Sequence, residues 1–267
     1  MKMFASDLDR TLIYSERALA DFKQTGVNDL IGVEKKADRE VAFMTRRSAE
    51  ALCQIADHML FVPVTTRTWE QFKRIFIFSN YIPLTYAITS NGANITYKGN
   101  SLIEWQGLIH ERLRSECNPI DGMEAELREL KIPGTIKRAE GLFLYYILDV
   151  NLSKEEIMIV KSKATEFGWR VSLQGRKLYF MPNPISKGEA VRFIKEREGI
   201  STVYGAGDSL LDHDFLKDCD FPFVPSHGEL ANEFNEDYHY TLTNTRGVMA
   251  GEEILAEIFK TVTNKPL

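Results

Sequence analysis

The chain has 267 residues, 44% hydrophobic and 27% charged, the balance of a globular protein able to bury a core without disulfides or a structural metal. Its 33 Lys and Arg against 38 Asp and Glu leave a net charge of −5. That excludes adhesion to nucleic acid through bulk positive charge and leaves room for a phosphorylated small molecule in a local pocket.

Cys53, Cys117 and Cys219 are odd in number, far apart and outside any CxxC pair. Neither a disulfide framework nor a zinc site is expected, only buried free thiols. The opening MKMFASDLDR becomes charged too early for a signal peptide, and the most apolar run, 141–150, is far shorter than the roughly 20 residues of a membrane helix. A cytoplasmic protein with no nucleic-acid or membrane partner is the expectation.

In chain order, a short strand is expected over 3–6. Residues 30–34 and 40–44 suit a hairpin around 35–38, either a flap or a decorated surface loop. Thr45 can cap a helix carrying Ala49, Leu52, Cys53, Ala56 and Met59 on one face. The apolar run 60–64 is too short for a helix and reads as a strand, 69–78 as a helix and 86–89 as the next strand. Such alternation points to parallel βαβ units.

The middle differs. Segments 95–97 and 102–105 flank a plausible hairpin turn, and helical patterns occupy 108–117 and 123–130. A long strand over 142–150 leads to a helix opened by Ser153 and Glu156, a capping box. Strands at 170–173 and 178–181 follow, and the Pro-rich stretch 181–184 punctuates the chain. Then βα alternation resumes, with a second capping box at Ser186 and Glu189 and a strand over 202–204. The expected class is α/β: a Rossmann-like, doubly wound parallel-sheet core from 1–93 and 184–267, with a smaller α/β domain, 94–183, inserted.

The strongest chemical signal is Asp7-Leu8-Asp9-Arg10-Thr11-Leu12, directly after the first strand. Two carboxylates two residues apart, just past a strand end, can project into the crevice where open α/β sheets bind ligands. Alone, the pattern is also compatible with a polar turn. Three later stretches share its placement at strand or helix ends. Thr65-Thr66-Arg67 closes the second strand with hydroxyls and a cation, and Lys187 sits in a first helical turn, where backbone N–H groups favour an anion. Gly205-Ala206-Gly207-Asp208, with Asp212, ends another strand in carboxylates.

In this order the motifs resemble those of the haloacid dehalogenase-like (HAD) hydrolase superfamily. The insert lies between the second and third, as in the subfamily with a large α/β cap that includes sucrose-phosphate phosphatase, phosphomannomutase and Cof-type phosphatases. Ser90-Asn91-Gly92-Ala93 and the stretch 247–255 resemble further segments of that group. There are departures: Arg10 and Thr66 stand where glycines are usual, Leu211 where Asn is usual, and Asp7 and Thr65 are 58 residues apart, a long interval.

The resemblance implies a Mg²⁺-dependent phosphomonoesterase acting on a small phosphorylated metabolite, such as a sugar phosphate. Asp7 would attack phosphorus, Asp9 would act as acid and then base, and Thr65 and Lys187 would hold phosphoryl oxygens. Asp7, the carbonyl of Asp9 and Asp208 would bind Mg²⁺, with Asp212 ordering the shell. Thr66, Arg67, Asn91 and Gly92 are expected near substrate. The cap would carry specificity, with Lys137, Arg138, Tyr145, Tyr146, Arg176 and Lys177 as candidate contacts.

Asp9 argues against a dehalogenase, whose leaving group needs no proton. A sugar phosphomutase and a non-catalytic phosphate-binding or signalling scaffold are the alternatives. A receiver-like module would leave much of the length unexplained, and a dinucleotide-binding reading of Gly205-Ala206-Gly207 lacks the third glycine.

Overall fold

The computed structural model describes residues 1–232 and 239–263. These divide into two compact units, 1–101 with 187–267 and 102–186. The units divide at 101/102 and 186/187, where 93/94 and 183/184 were expected; 94–97 pair with the strand at 86–89 and 100–101 pair back on 96–97, which keeps this hairpin in the first unit.

The first unit begins with β1 (Lys2–Ser6), β2 (Tyr14–Ser15) and α1 (Glu16–Asp21), followed by the hairpin β3 (Leu30–Lys36) and β4 (Arg39–Thr45). Lys36 pairs with Arg39, and the two residues between, Ala37 and Asp38, both have left-handed φ (48° and 62°). This is the turn whose twist suits a two-residue hairpin. Thr45 accepts a hydrogen bond from the Ser48 amide and caps α2 (Arg46–His58), whose Ala49, Leu52 and Ile55 are buried. Then come β5 (Leu60–Pro63), α3 (Trp69–Phe72), α4 (Phe76–Asn80), β6 (Tyr86–Thr89), β7 (Asn94–Tyr97) and β8 (Asn100–Ser101).

Two expectations are corrected here. The helix expected over 69–78 is two short helices. The Lys35 amide donates to the Arg74 carbonyl (3.1 Å) and Glu34 bridges Ile75, so tertiary pairing pulls 74–75 out of helical geometry. The second hairpin turns at Lys98-Gly99 (φ 49° and 78°), so its returning strand is only two residues, and 103–105 are already helical.

The second unit holds α5 (Ile103–Ser115), α6 (Ile120–Glu129), β9 (Gly134–Ala139), β10 (Phe143–Leu148), α7 (Lys154–Glu166), β11 (Trp169–Gln174) and β12 (Lys177–Pro182). Its antiparallel sheet runs β11-β12-β10-β9. Met123 and Leu127 of α6 and Val160 and Ala164 of α7 form a core with Leu144, Tyr146, Leu178 and Phe180 on one sheet face. Ser153 and Glu156 make the expected capping box.

The chain returns to the first unit through α8 (Lys187–Arg197), β13 (Thr202–Ala206), α9 (His213–Leu216), β14 (Phe221–Val224), α10 (Glu229–Asn232), β15 (Thr241–Leu242) and α11 (Val248–Thr263). The main sheet is all parallel, in the order β15-β14-β13-β1-β5. Phe4, Phe61, Tyr204 and Phe223 face α2 and α11, packing with Leu52, Ile55, Ile254 and Ile258. The other face meets α9: a Cβ on Gly205 would lie 2.8 Å from Leu216 and 2.5 Å from the Cys219 sulfur. Helices on both faces make the sheet doubly wound. No helix among the described residues is long and apolar enough to cross a membrane.

Candidate active site

The sheet order explains the site. β1 lies between β13 and β5, so the chain segments leaving all three strands emerge side by side at one sheet edge. The segments carry Asp7 and Asp9, Asp208 and Asp212, and Thr65 to Arg67 respectively.

Lys187 begins α8 and is 1% exposed. Its ammonium donates to Asp7 Oδ1 at 2.8 Å and to Asp212 Oδ1 at 2.6 Å. The other oxygen of Asp212 accepts from the Ser209 amide (2.9 Å) and hydroxyl (2.8 Å). Gly207 lets this carboxylate lie against β13's end: any Cβ there would come within 2.4 Å of the Asp212 Cβ. Thr11 Oγ1 donates to Asp7 Oδ2 at 3.4 Å. Ligand oxygens of Asp7, Asp208 and Asp212, all buried, lie within 4.8 Å of one another.

Lys187 binds two of the three buried carboxylates and the half-exposed Arg10 stands 3.9 Å from the third, Asp208, so buried negative charge outweighs buried positive charge. Burial pushes the Asp7 carboxyl up to about 7; Lys187 pulls it down and Asp212 pushes it further up. Asp208 is raised well above the usual carboxylate range, first by burial and then by Asp7 and Asp212. Burial pulls the Lys187 ammonium down, but Asp212 and Asp7 more than offset this, and its pKa is raised. An all-oxygen, electron-rich donor set that lacks compensating charge suits a hard divalent cation such as Mg²⁺.

Asp9 is separate from this cluster. Its side chain is 47% exposed and is gripped by Arg67, whose Nε and Nη2 each donate to a carboxylate oxygen at 2.7 Å. Thr65 is fully buried, and its Oγ1 accepts from the Arg67 amide at 3.1 Å. Thr66 is half-buried beside it. Asn91 and Gly92 lie in a turn of three consecutive left-handed residues, Ser90, Asn91 and Gly92 (φ 51°, 60° and 99°). Amides of this turn bind the motif loop: Ser90 N–H to the Arg67 carbonyl (2.7 Å) and Asn91 N–H to the Thr65 carbonyl (3.0 Å). Asp7, Asp9, Thr65, Thr66, Arg67, Asn91, Gly92, Lys187, Asp208 and Asp212 thus all lie on the first unit, with Asn91 and Gly92 tied to the Thr65–Arg67 loop.

The departures have physical partners. Arg10 holds left-handed φ (66°) without being glycine. Its carbonyl is captured by the Tyr14 hydroxyl (2.9 Å) and by His227 Nε2 (2.9 Å). His227 Nδ1 accepts the Gly247 amide, so the Nε2 nitrogen carries the proton. Burial lowers His227 to about 4, keeping the ring neutral. The Arg10 guanidinium reaches 3.9 Å from Asp208 and lies over Phe22. Leu211 is buried.

Within the second unit the candidate contacts divide. Lys137, Tyr145 and Lys177 lie on the sheet face opposite α6 and α7, with Tyr145 paired between Lys137 and Tyr179. Tyr146 is in the core, its hydroxyl donating to Leu127 (3.4 Å). Arg138 is bound by Asp121 and Glu124, and Arg176 Nε donates to the Leu148 carbonyl.

Glu34 and Arg74 were not legible as site residues. Glu34 is 3% exposed on β3, with Oε2 2.8 Å from Arg67 Nη1 and Oε1 accepting from Arg74 Nε at 3.0 Å. The available signal was an acid directly after the apolar run 30–33.

The fold and the acidic cluster together define an α/β protein with three buried carboxylates, able to hold a divalent cation, at the carboxyl edge of a parallel sheet. By sequence, no protein-family model and no curated protein matches the chain. Solved structures do match. The sucrose-phosphatase of Synechocystis sp. PCC6803, solved with sucrose and phosphate, aligns with a TM-score of 0.72 at 15% identity, over 97% of this chain and 98% of its own. A haloacid dehalogenase-like hydrolase from Bacillus subtilis aligns at 0.58 and 13% identity, over 98% and 92%. A subclass IIB sugar phosphatase of the HAD superfamily aligns at 0.61 and 13%, over 91% and 93%. The chain therefore has the fold of HAD-like hydrolases that carry a large α/β insert, as its motifs indicated.

Proposed function

We propose that the chain is a Mg²⁺-dependent phosphomonoesterase for a small phosphorylated metabolite, of the sugar-phosphate class. One observation carries the reading: Asp7 is held by Lys187 among Asp208 and Asp212, while a second carboxylate, Asp9, stands two residues on and outside the cluster. The named activities of the similar structures, sucrose-phosphatase and sugar phosphatase, support the substrate class.

Asp7, Asp208 and the Asp9 carbonyl would hold Mg²⁺, with Asp212 ordering its surroundings; bound there, the ion supplies charge that offsets the phosphoryl oxygens. Asp7 Oδ attacks phosphorus, forming an aspartyl-phosphate as the ester P–O bond breaks. Asp9 gives its proton to the departing oxygen. It then takes a proton from the water that attacks phosphorus, releasing phosphate and restoring Asp7. Lys187 and Thr65 hold phosphoryl oxygens, and Lys187 keeps Asp7 oriented. In this reading the second unit corresponds to the cap, and Lys137, Tyr145 and Lys177, on the sheet face opposite its helices, are its candidate contacts for a polar leaving group.

The test is phosphate release from a panel of sugar phosphates and an aryl phosphate, with Mg²⁺ or chelator, alongside Asp7→Asn. Release that requires both Mg²⁺ and Asp7 is expected. No release from any ester, or release untouched by Asp7→Asn, overturns the proposal.

A further inference from the structure

The β3–β4 hairpin lies in the long interval between the first two motifs and belongs to neither. A loop that merely decorates a surface has no reason to bury a charge, yet Glu34 is almost fully enclosed. An ionised carboxylate in that position needs cationic partners. It has two, Arg67 and Arg74.

The backbone is shaped to deliver it. Ile31 and Gly32 pair with Met44 and Phe43, but the next pair is Glu34 with Ala42, leaving Val33 as an extra residue on β3. Such a bulge re-aims the following side chain. Val33 and Glu34 are consequently both buried, which an unbroken strand would not allow on one side. The Lys35 amide and the Glu34–Ile75 bridge then fasten β3 to 74–75, the segment bearing Arg74.

Arg67 is the link. Two of its nitrogens grip Asp9, and the third, Nη1, faces Glu34. The Nη1 contact is an ion pair at 2.8 Å without hydrogen-bond geometry, so Glu34 backs the guanidinium by charge and close packing while Asp9 holds its fork. Asp9 is half exposed, and this grip is what directs its carboxylate. We propose that Glu34 is a positioning residue that acts through Arg67 to aim Asp9 for proton transfer to and from the reacting oxygens. The proposal rests on the phosphomonoesterase reading. It gives the hairpin a function: to supply the buried carboxylate that backs Arg67.

A misaimed acid hurts esters according to how much their leaving oxygen needs a proton. The transfer at stake forms the bond from Asp7 oxygen to phosphorus, breaks the ester P–O bond and moves one proton from Asp9 to the departing oxygen. Nitrophenolate leaves readily without that proton; an alkoxide does not. kcat/KM reports this first step, so the comparison is kcat/KM for p-nitrophenyl phosphate against alkyl phosphates in wild type and Glu34→Gln. We expect the alkyl esters to lose ~10-fold or more beyond any loss on the aryl ester, against the ~100-fold or greater value of a well-placed general acid.

Arg67→Lys, which keeps the cation but loses the fork, should show the same selectivity, and it carries the test if Glu34→Gln does not fold. Adding Glu34→Gln to Arg67→Lys should then cost little more, since both act through one grip. Equal loss on both ester classes, or no loss on either, overturns the proposal while leaving phosphatase activity standing. A wild type that hydrolyses no ester overturns both.

Discussion

Replacing Asp7 with Asn should abolish turnover and, in the absence of metal, stabilise the fold increasingly as pH rises. Burial above all lifts the Asp7 carboxyl from its ordinary 3.8 to about 7 in the folded chain. In the unfolded chain the group ionises near its ordinary value. Between the two, the unfolded state holds fewer protons than the folded one, so wild-type stability falls as pH rises across that window and levels off above it. A shift of roughly three units, at 1.36 kcal/mol each, amounts to ~4 kcal/mol. Asn has no proton to lose, so the variant should gain about that much on wild type between roughly pH 4 and pH 8. At ~2–4 °C per kcal/mol, the two melting temperatures should move apart by ~8–16 °C over that range. Urea and thermal unfolding of both proteins in chelator read the difference directly. A gap that is constant with pH, or narrows as pH rises, refutes the view of Asp7 as a carboxyl desolvated in a charge-poor pocket.

Mg²⁺ must displace protons from Asp7, raised to about 7, and from Asp208, raised well above the usual carboxylate range, so its apparent affinity should climb as pH rises through neutral. Calorimetry in buffers of different ionisation heat should show proton release at and below neutral pH, and an affinity that is flat from acid to neutral counts against these ligands. Lys187→Met leaves the buried carboxylates without their ammonium and should lower metal-free stability by ~3–5 kcal/mol, with turnover lost; denaturant midpoints within error of wild type would contradict the charge arrangement. Ala37 and Asp38 hold left-handed φ at the tip of the β3–β4 hairpin, so Ala37→Asn with Asp38→Gly should stabilise by ~1 kcal/mol and leave kcat unchanged. A fall in melting temperature would refute that account of the turn.

The motif residues were legible because each sits within a few positions of a strand end or helix start, where local pattern and chemistry coincide. Asp7 follows an apolar strand, Lys187 opens a helix, and Asp208 lies two residues past the end of β13. The same locality made the Thr45 and Ser153 caps readable. Glu34 was not readable as a site residue, because its meaning comes from Arg67 and Arg74, more than thirty residues away, and from a one-residue bulge that no periodicity announces. That tertiary pairing also divided the helix expected over 69–78. Strand β9 was missed for a related reason: its burial pattern alternates only weakly and it gains its identity from Phe143–Leu148 alongside.

The order of strands in the main sheet has a consequence for biosynthesis. The second unit is one continuous stretch whose pairings are short-range, so it can complete its core as soon as it leaves the ribosome. β1 is made first but is flanked by β13, two hundred residues later. Until that strand appears, one side of the first strand to be made has no partner, and Asp7 and Asp9 stand apart from Lys187 and Asp208. A nascent chain of this design passes a long interval with an open, apolar strand edge and no assembled pocket. Slow or stalled translation between the two halves of the first unit is therefore the stage at which this protein is most exposed to aggregation, and the point at which chaperone binding has the most to protect.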